Sequence, residues 1–273
     1  MEDIAVTITI IILVISFIFL SLVDVDGDKF NLDKFTLDNF MNFTPPIYYI
    51  NLDQATDRKK RFIENNSKSF KVKRIKAISP DDYNTFQIIK PDHCKNSELE
   101  LCCTLSHLKA MHRAYYDNNE YALIMEDDMY FLQFPNWKEL IGSAPDDWDI
   151  LQLYTINTDI YKIKTDNWFH SPTHDHGNHI SSCGAYLINR KALKKFLEMF
   201  IPNLNPKWDS IKKIDFTKST ISCTADFFIY QNMKTYVYTK ILLNTEGFDS
   251  YLHPDHLSGH LESIQQINEL NSN

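Results

Sequence analysis

The chain lacks any long basic run: 28 Lys and Arg stand against 36 Asp and Glu, a formal net charge of −8. Binding a nucleic-acid backbone needs clustered positive charge, so nucleic acid is excluded as a partner. Internal repeats and low-complexity tracts are absent too, which excludes solenoids and other repeat arrays. Cysteine is scarce, with five residues at 94, 102, 103, 183 and 223. There is no CxxC spacing for zinc and no dense disulfide framework. Buried free thiols and one or two bridges both remain open readings.

What is present is ordinary for a globular protein: 273 residues, 44% hydrophobic and 23% charged. That suffices for one large domain or two small ones, and no second domain is visible. The exception is residues 4–23, twenty in a row without a charge. A helix of that length spans about 30 Å, the thickness of a bilayer core. A cleaved leader has a shorter apolar run and a basic start. Here Glu2 and Asp3 precede the run, so residues 1–23 are expected to be a retained single-pass membrane anchor.

Residues 24–45, alternating Phe with Asp, Asn and Lys, read as a stem. Lys29 and Lys34 favour a cytosolic side for the residues beyond the span. The sequons Asn42-Phe43-Thr44 and Asn65-Asn66-Ser67 carry meaning only in a lumen. A lumenal domain, in the ER or Golgi, is the resulting expectation.

Residues 47–52, 72–78, 122–125, 148–154, 182–188 and 235–238 read as strands. Helices are expected at 57–68, 99–118, 190–200 and 224–232, and a polar, His-rich loop at 155–179. In the second helix Leu101, Leu105, Leu108, Met111 and Ala114 form one buried stripe. Strands alternating with helices predict an α/β domain with a mostly parallel central sheet, over residues 46–262, and a polar tail at 263–273. Ligands bind at the carboxyl ends of such strands.

Two acidic features fall at such ends: Asp53, and the run Glu126-Asp127-Asp128 that closes YALIMEDDMY. Three adjacent carboxylates repel one another unless something positive sits among them. A hard divalent cation such as Mg²⁺ or Mn²⁺ would serve, and an acidic turn facing water is the alternative. Alternation along an extended strand end puts Glu126 and Asp128 on one face. Asn51 and Asp53 suit hydrogen bonds to a base or ribose, and Arg58 suits a phosphate or a surface pair with Asp57 or Glu64. His170, His174, His176 and His179 crowd one loop, where solvent exposure competes with metal binding. Trp148 is read as core packing or as part of an acceptor cleft.

Several segments in order carry a resemblance. They are Ile50-Asn51-Leu52-Asp53 with Asp57-Arg58, Cys103-Thr104-Leu105-Ser106-His107, residues 121–129, Gly184-Ala185-Tyr186-Leu187-Ile188, and an acidic residue at Asp226. Together they resemble glycosyltransferase family 25, which includes lipooligosaccharide and procollagen galactosyltransferases and homologues in large DNA viruses. The resemblance implies a single GT-A-like nucleotide-sugar domain and a metal-dependent, inverting transfer. The donor would be a UDP-sugar carrying galactose or glucose. The acceptor would be a hydroxyl on a glycan or on hydroxylysine in a collagen-like protein.

The same resemblance implies Mn²⁺ or Mg²⁺ on Asp128, with Glu126 on the ribose or a metal water, Asp127 toward the helix side, and one of His253, His256 and His260, with His253 preferred, as a late ligand. Asn51, Asp53, Arg58, Ser106, His107 and Tyr186 would surround the nucleotide sugar. Asp226 would be the catalytic base; a helix-start carboxylate held by the helix dipole is an equal alternative. Two other functions compete: a metal-dependent phosphohydrolase, which would need a second carboxylate cluster, and an inactive, membrane-tethered binding protein on a transferase fold.

Overall fold

Ile47–Asn51 (β1) is buried along its whole length because its apolar run is flanked on both sides. The computed structural model describes residues 43–163, 167–170, 181–219, 222–248 and 257–272. The chain divides into two compact units, Met1–Phe43 and Thr44–Asn273. Residues 4–23 and most of the expected stem lie outside the described residues. Among the described residues no helix is long and apolar enough to cross a membrane.

After β1 come α1 (Thr56–Asn66), β2 (Val72–Lys76), α2 (Pro80–Tyr83), β3 (Gln87–Ile89), α3 (Glu98–Tyr116), β4 (Tyr121–Glu126), β5 (Met129–Phe131) and α4 (Trp137–Gly142). Then follow β6 (Ile150–Gln152), β7 (Trp168–His170), β8 (Ala185–Asn189), α5 (Arg190–Phe200) and β9 (Lys213–Asp215). The last are α6 (Ala225–Gln231), β10 (Thr235–Tyr238), β11 (Leu243–Thr245) and α7 (Leu257–Asn271). Short 3-10 turns occupy Thr158–Lys162 and Trp208–Ser210.

Among the described residues, seven strands form the main sheet in the order β2-β1-β4-β8-β6-β10-β7, and two small sheets pair β11 with β5 and β3 with β9. The expectation of a mostly parallel sheet is corrected: the sheet is mixed. β1 pairs in parallel with β2 and β4, and β6 with β10, but β8 runs antiparallel to both its neighbours and β7 antiparallel to β10. An apolar run such as Ala185-Tyr-Leu-Ile reads the same in either direction, so periodicity carries no sign for strand polarity.

The reversal of β8 has a spatial effect. Residues just before β8 arrive at the carboxyl ends of β4 and β6, where Glu126 N donates to Gly184 O at 2.8 Å. A Cβ at Gly184 would sit 2.7 Å from Met129 Sδ, so glycine permits this close entry.

Helix α3 starts at a full capping box, Ser97 and Glu100 each bonding the other's backbone N–H. It packs its apolar stripe on the core with Leu101, Leu105, Leu108 and Met111 fully buried. Helix α5 begins at Asn189, whose side chain accepts from Ala192 N, and buries Leu193, Phe196, Leu197 and Phe200. A disulfide joins Cys94, ahead of α3, to Cys223, ahead of α6.

Residues 263–271, expected as a polar tail, belong to α7. Ile267 is fully buried there and Asn244 donates to Asn268, so a sparse apolar face was enough to dock the helix.

Candidate active site

The end of β1 is committed to the acidic turn. Asn51 is buried; its amide donates to Ala55 O at 3.0 Å and to Asp127 Oδ2 at 2.6 Å, and its carbonyl oxygen accepts from Arg74 Nε at 2.8 Å. Asp53 is exposed and pairs with Arg74 and Lys76, which hold its carboxyl below the usual range. Arg58, one turn into α1, reaches Asp127 (Nε to Oδ1, 3.3 Å) and Asp128 (Nη2 to Oδ2, 3.4 Å). Its guanidinium also lies over the Phe248 ring at 5.1 Å.

The three carboxylates thus part company. Asp127 turns to β1 and α1. Asp128 faces Arg58 and Thr245, and Glu126 turns to α3. There His107 Nε2 lies 3.4 Å from Glu126 Oε1, while Nδ1 lies 3.0 Å from the Tyr186 hydroxyl. Burial opposes charge on His107, but Cys103 and Glu126 outweigh it and push the imidazole up to about 9. Burial likewise works to raise Glu126, and His107 outweighs it, leaving that carboxyl below its ordinary value.

Two protein cations, Arg58 and His107, therefore stand against three carboxylates. The balance falls on Asp128. Burial first, then the Glu126 charge, push it up to about 7, with Arg58 pulling the other way. Its Oδ1 is buried with no hydrogen-bond partner among the described residues. The Tyr154 hydroxyl is another such atom, and the charges of Asp128 and Glu126 help to raise it well above its ordinary value, behind burial itself. Unpaired buried polar atoms are rare enough to call for a ligand or ion. A hard cation bound through oxygen fits Asp128.

Other expected site residues are tied into the fold around this cluster. Ser106 is buried: its hydroxyl donates to Cys102 O at 2.7 Å and accepts from Ile78 N at 2.8 Å, which fixes α3 to the chain beyond β2. Tyr186 is fully buried behind His107. Trp148 stacks on Tyr121 at the opposite end of the sheet, a packing role remote from the strand ends. His253, and the side chains of the His-rich group at 170–179, lie outside the described residues.

Asp226 opens α6, partly exposed, accepting from Phe227 N at 2.9 Å and Ser182 N at 3.3 Å. Burial pushes its carboxyl up despite these bonds. Ser182 has φ +86°, a strained conformation for a residue with a side chain. Gln152 and Tyr230 hold it by donating to its carbonyl.

Sequence reasoning missed Arg74, Tyr154, Cys183 and Thr245. Only Tyr154 had a signal, lying just beyond the carboxyl end of a strand.

A mixed sheet with an acidic cluster and two unsatisfied buried oxygens, of Asp128 and Tyr154, near the carboxyl ends of its strands is the layout of an α/β enzyme whose cleft opens there. The chain belongs to glycosyltransferase family 25, whose model (LPS biosynthesis protein) matches residues 44–211, and it is a glycosyltransferase. Asp226 lies beyond the matched segment. No curated protein sequence matches significantly.

Among solved structures, the chain is similar to HddC from Yersinia pseudotuberculosis at 13% identity, covering 82% of this chain and 80% of that one, with a TM-score of 0.37. It is similar to a glycosyltransferase involved in glycosylation of the major capsid of PBCV-1 at 10% identity, 84% and 100% coverage, TM-score 0.33. The galactosyltransferase LgtC, in complex with donor and acceptor sugar analogues, gives 10% identity, 70% and 72% coverage, TM-score 0.35.

Proposed function

We propose that this glycosyltransferase is metal-dependent, inverting and of the GT-A kind. It moves galactose or glucose from a UDP-sugar to a hydroxyl on a glycan or on hydroxylysine of a collagen-like protein. Residues 4–23 anchor it in a membrane, with residues 44–273 in the ER or Golgi lumen. The observation that carries the metal-dependent reading is the buried Asp128 Oδ1, unpartnered among the described residues, on a carboxyl held near neutrality.

Asp128 is the residue that holds Mn²⁺ or Mg²⁺, with His253 as a further ligand. When bound, the ion stabilises charge building on the departing diphosphate. Arg58 supplies a fixed positive charge on the same side and is positioned to meet a phosphate. Asn51 and Arg74 keep Asp127 and Asp53 oriented. An inverting transfer needs a base on the face away from the leaving group. Asp226 is suited to that role, because burial makes its carboxylate a better proton acceptor than an exposed one.

The test is UDP release by the purified full-length chain with Mn²⁺, offering UDP-galactose and UDP-glucose in parallel with glycan and hydroxylysine acceptors. Transfer that requires the ion supports the reading. Calorimetric absence of sugar-nucleotide binding by the folded protein would sink it, and donor binding without transfer to any acceptor would favour the inactive module.

A further inference from the structure

Four potential metal ligands meet beside the acidic turn: Cys103, His107, Glu126 and Cys183, with all ligand atoms within 4.8 Å of one another. We propose that they form a zinc site, separate in chemistry from the hard-ion position at Asp128. The proposal does not depend on which sugar or acceptor the enzyme uses.

The separations carry it first. His107 Nε2 lies 3.2 Å from Cys183 Sγ and 3.4 Å from Glu126 Oε1, and Cys183 Sγ lies 3.5 Å from Glu126 Oε1. Zinc bonds of about 2.3 Å to sulfur and about 2.0–2.1 Å to nitrogen or oxygen set tetrahedral ligand atoms roughly 3.3–3.8 Å apart. The two spacings to Glu126 Oε1 fall in that range, the one between His107 Nε2 and Cys183 Sγ lies just under it, and Cys103 Sγ lies within 4.8 Å of the other three ligand atoms.

The scaffold carries it further. Cys103 and His107 stand four apart on α3 and so share a helix face. Glu126 ends β4, and Cys183 arrives from the other direction because β8 is reversed. Three separately anchored pieces of chain thus aim one donor set at one point. The ring of His107 is also oriented from behind: Tyr186 meets Nδ1 at 3.0 Å, leaving Nε2 to face the cluster. An oriented imidazole with its second nitrogen hydrogen-bonded is the usual support of a metal-bound histidine.

Two thiolates and an imidazole select zinc over Mg²⁺ or Mn²⁺, which take oxygen ligands. Absence of a CxxC pair concealed the site, since two of its ligands lie far apart along the chain. Four protein ligands make a closed, structural site, which pins α3 against β4 and β8 under the cleft. Glu126 then belongs to the zinc shell, and Asp128 is left to the hard ion.

The test uses the purified full-length chain, stripped with a chelator and titrated with Co²⁺ as the probe. The expected result is one equivalent that brings up intense visible bands of a tetrahedral centre and a near-ultraviolet thiolate charge-transfer band, while any Co²⁺ on the oxygen ligand Asp128 adds to neither. Zn²⁺ bleaches both and raises the melting temperature. Cys103→Ser and Cys183→Ser should each remove roughly half of the charge-transfer intensity, one thiolate of the two. Cys102→Ser and Asp128→Asn should leave it unchanged.

Folding of each variant is checked by its melting transition before titration. A wild-type chain that melts cooperatively yet gives no charge-transfer band overturns the site. So does a band insensitive to both Cys103→Ser and Cys183→Ser, or one lost in Asp128→Asn. A Cys103–Cys183 disulfide in fully active enzyme overturns it as well.

Discussion

Arg58 holds Asp128 at 3.4 Å, and its charge lowers that carboxyl against burial and the charges of Glu126 and Asp127. Arg58→Ala should push Asp128 up beyond about 7, so that divalent-ion binding moves to higher pH. The same change leaves the buried Asp127 with only its side-chain bond from Asn51, so the loss stays below the about 3–5 kcal/mol of a fully stranded buried charge. Mn²⁺ calorimetry across pH, with urea unfolding alongside, checks both. An unshifted binding profile would show that Arg58 does not tune this carboxylate.

Asp128→Asn and Asp226→Asn should separate binding from transfer. The first removes the oxygen charge that a hard cation needs and should abolish metal-dependent donor binding. The second should leave the donor dissociation constant within about twofold while lowering kcat by roughly 10²–10⁴. Full turnover in Asp226→Asn would mean that another group takes the proton.

Asp117 provides a pH signature away from the cleft. Burial acts to raise its carboxyl, but hydrogen bonds from Lys73, Arg113 and Tyr48 outweigh that and leave it below its ordinary value. A depressed carboxyl contributes stability that is fully present above the unfolded value of about 3.9 and is lost as pH falls toward the folded one. Asp117→Asn should therefore lower stability at neutral pH and flatten its fall below about pH 4. Urea midpoints measured between neutral and acid pH test this, and parallel curves for the two proteins would refute it.

Gly184→Ala should destabilise the entry to β8. The new Cβ would lie 2.7 Å from Met129 Sδ and 3.1 Å from Tyr154 Cδ1. Methionine can yield, whereas the buried tyrosine ring cannot easily do so, giving a loss of about 1–3 kcal/mol. Denaturant titration reads it directly, and an unchanged midpoint would mean that β8 enters with room to spare.

The elements legible in the sequence are those with unbroken apolar patterns. The pattern at residues 190–200 predicts a helix, and Arg190–Phe200 is one. The run at residues 47–52 predicts a strand, and Ile47–Asn51 is one. Of the three-residue strands, β6 shows because it sits in the longer apolar run at 148–154, whereas β3, β5, β7, β9 and β11 have no such run around them and are not visible. In the site, the acidic turn stands out since charge interrupts a hydrophobic run. Arg74 and Cys183 do not, because only strand order and the reversal of β8 bring them to Asn51 and Glu126. The partition of the three carboxylates among separate partners is a tertiary fact, invisible in the local alternation of a strand end.

The bridge between Cys94 and Cys223 spans 129 positions of sequence. Helices α3 and α5 and strands β4, β6 and β8 all lie inside that covalent ring. A single peptide-bond cut anywhere within it opens a loop but releases nothing. Clipped and intact chains would migrate together on a non-reducing gel, and only a reductant would separate the pieces. The centre of this protein is a closed circuit, tolerant of one break, in any compartment that keeps the bridge oxidised.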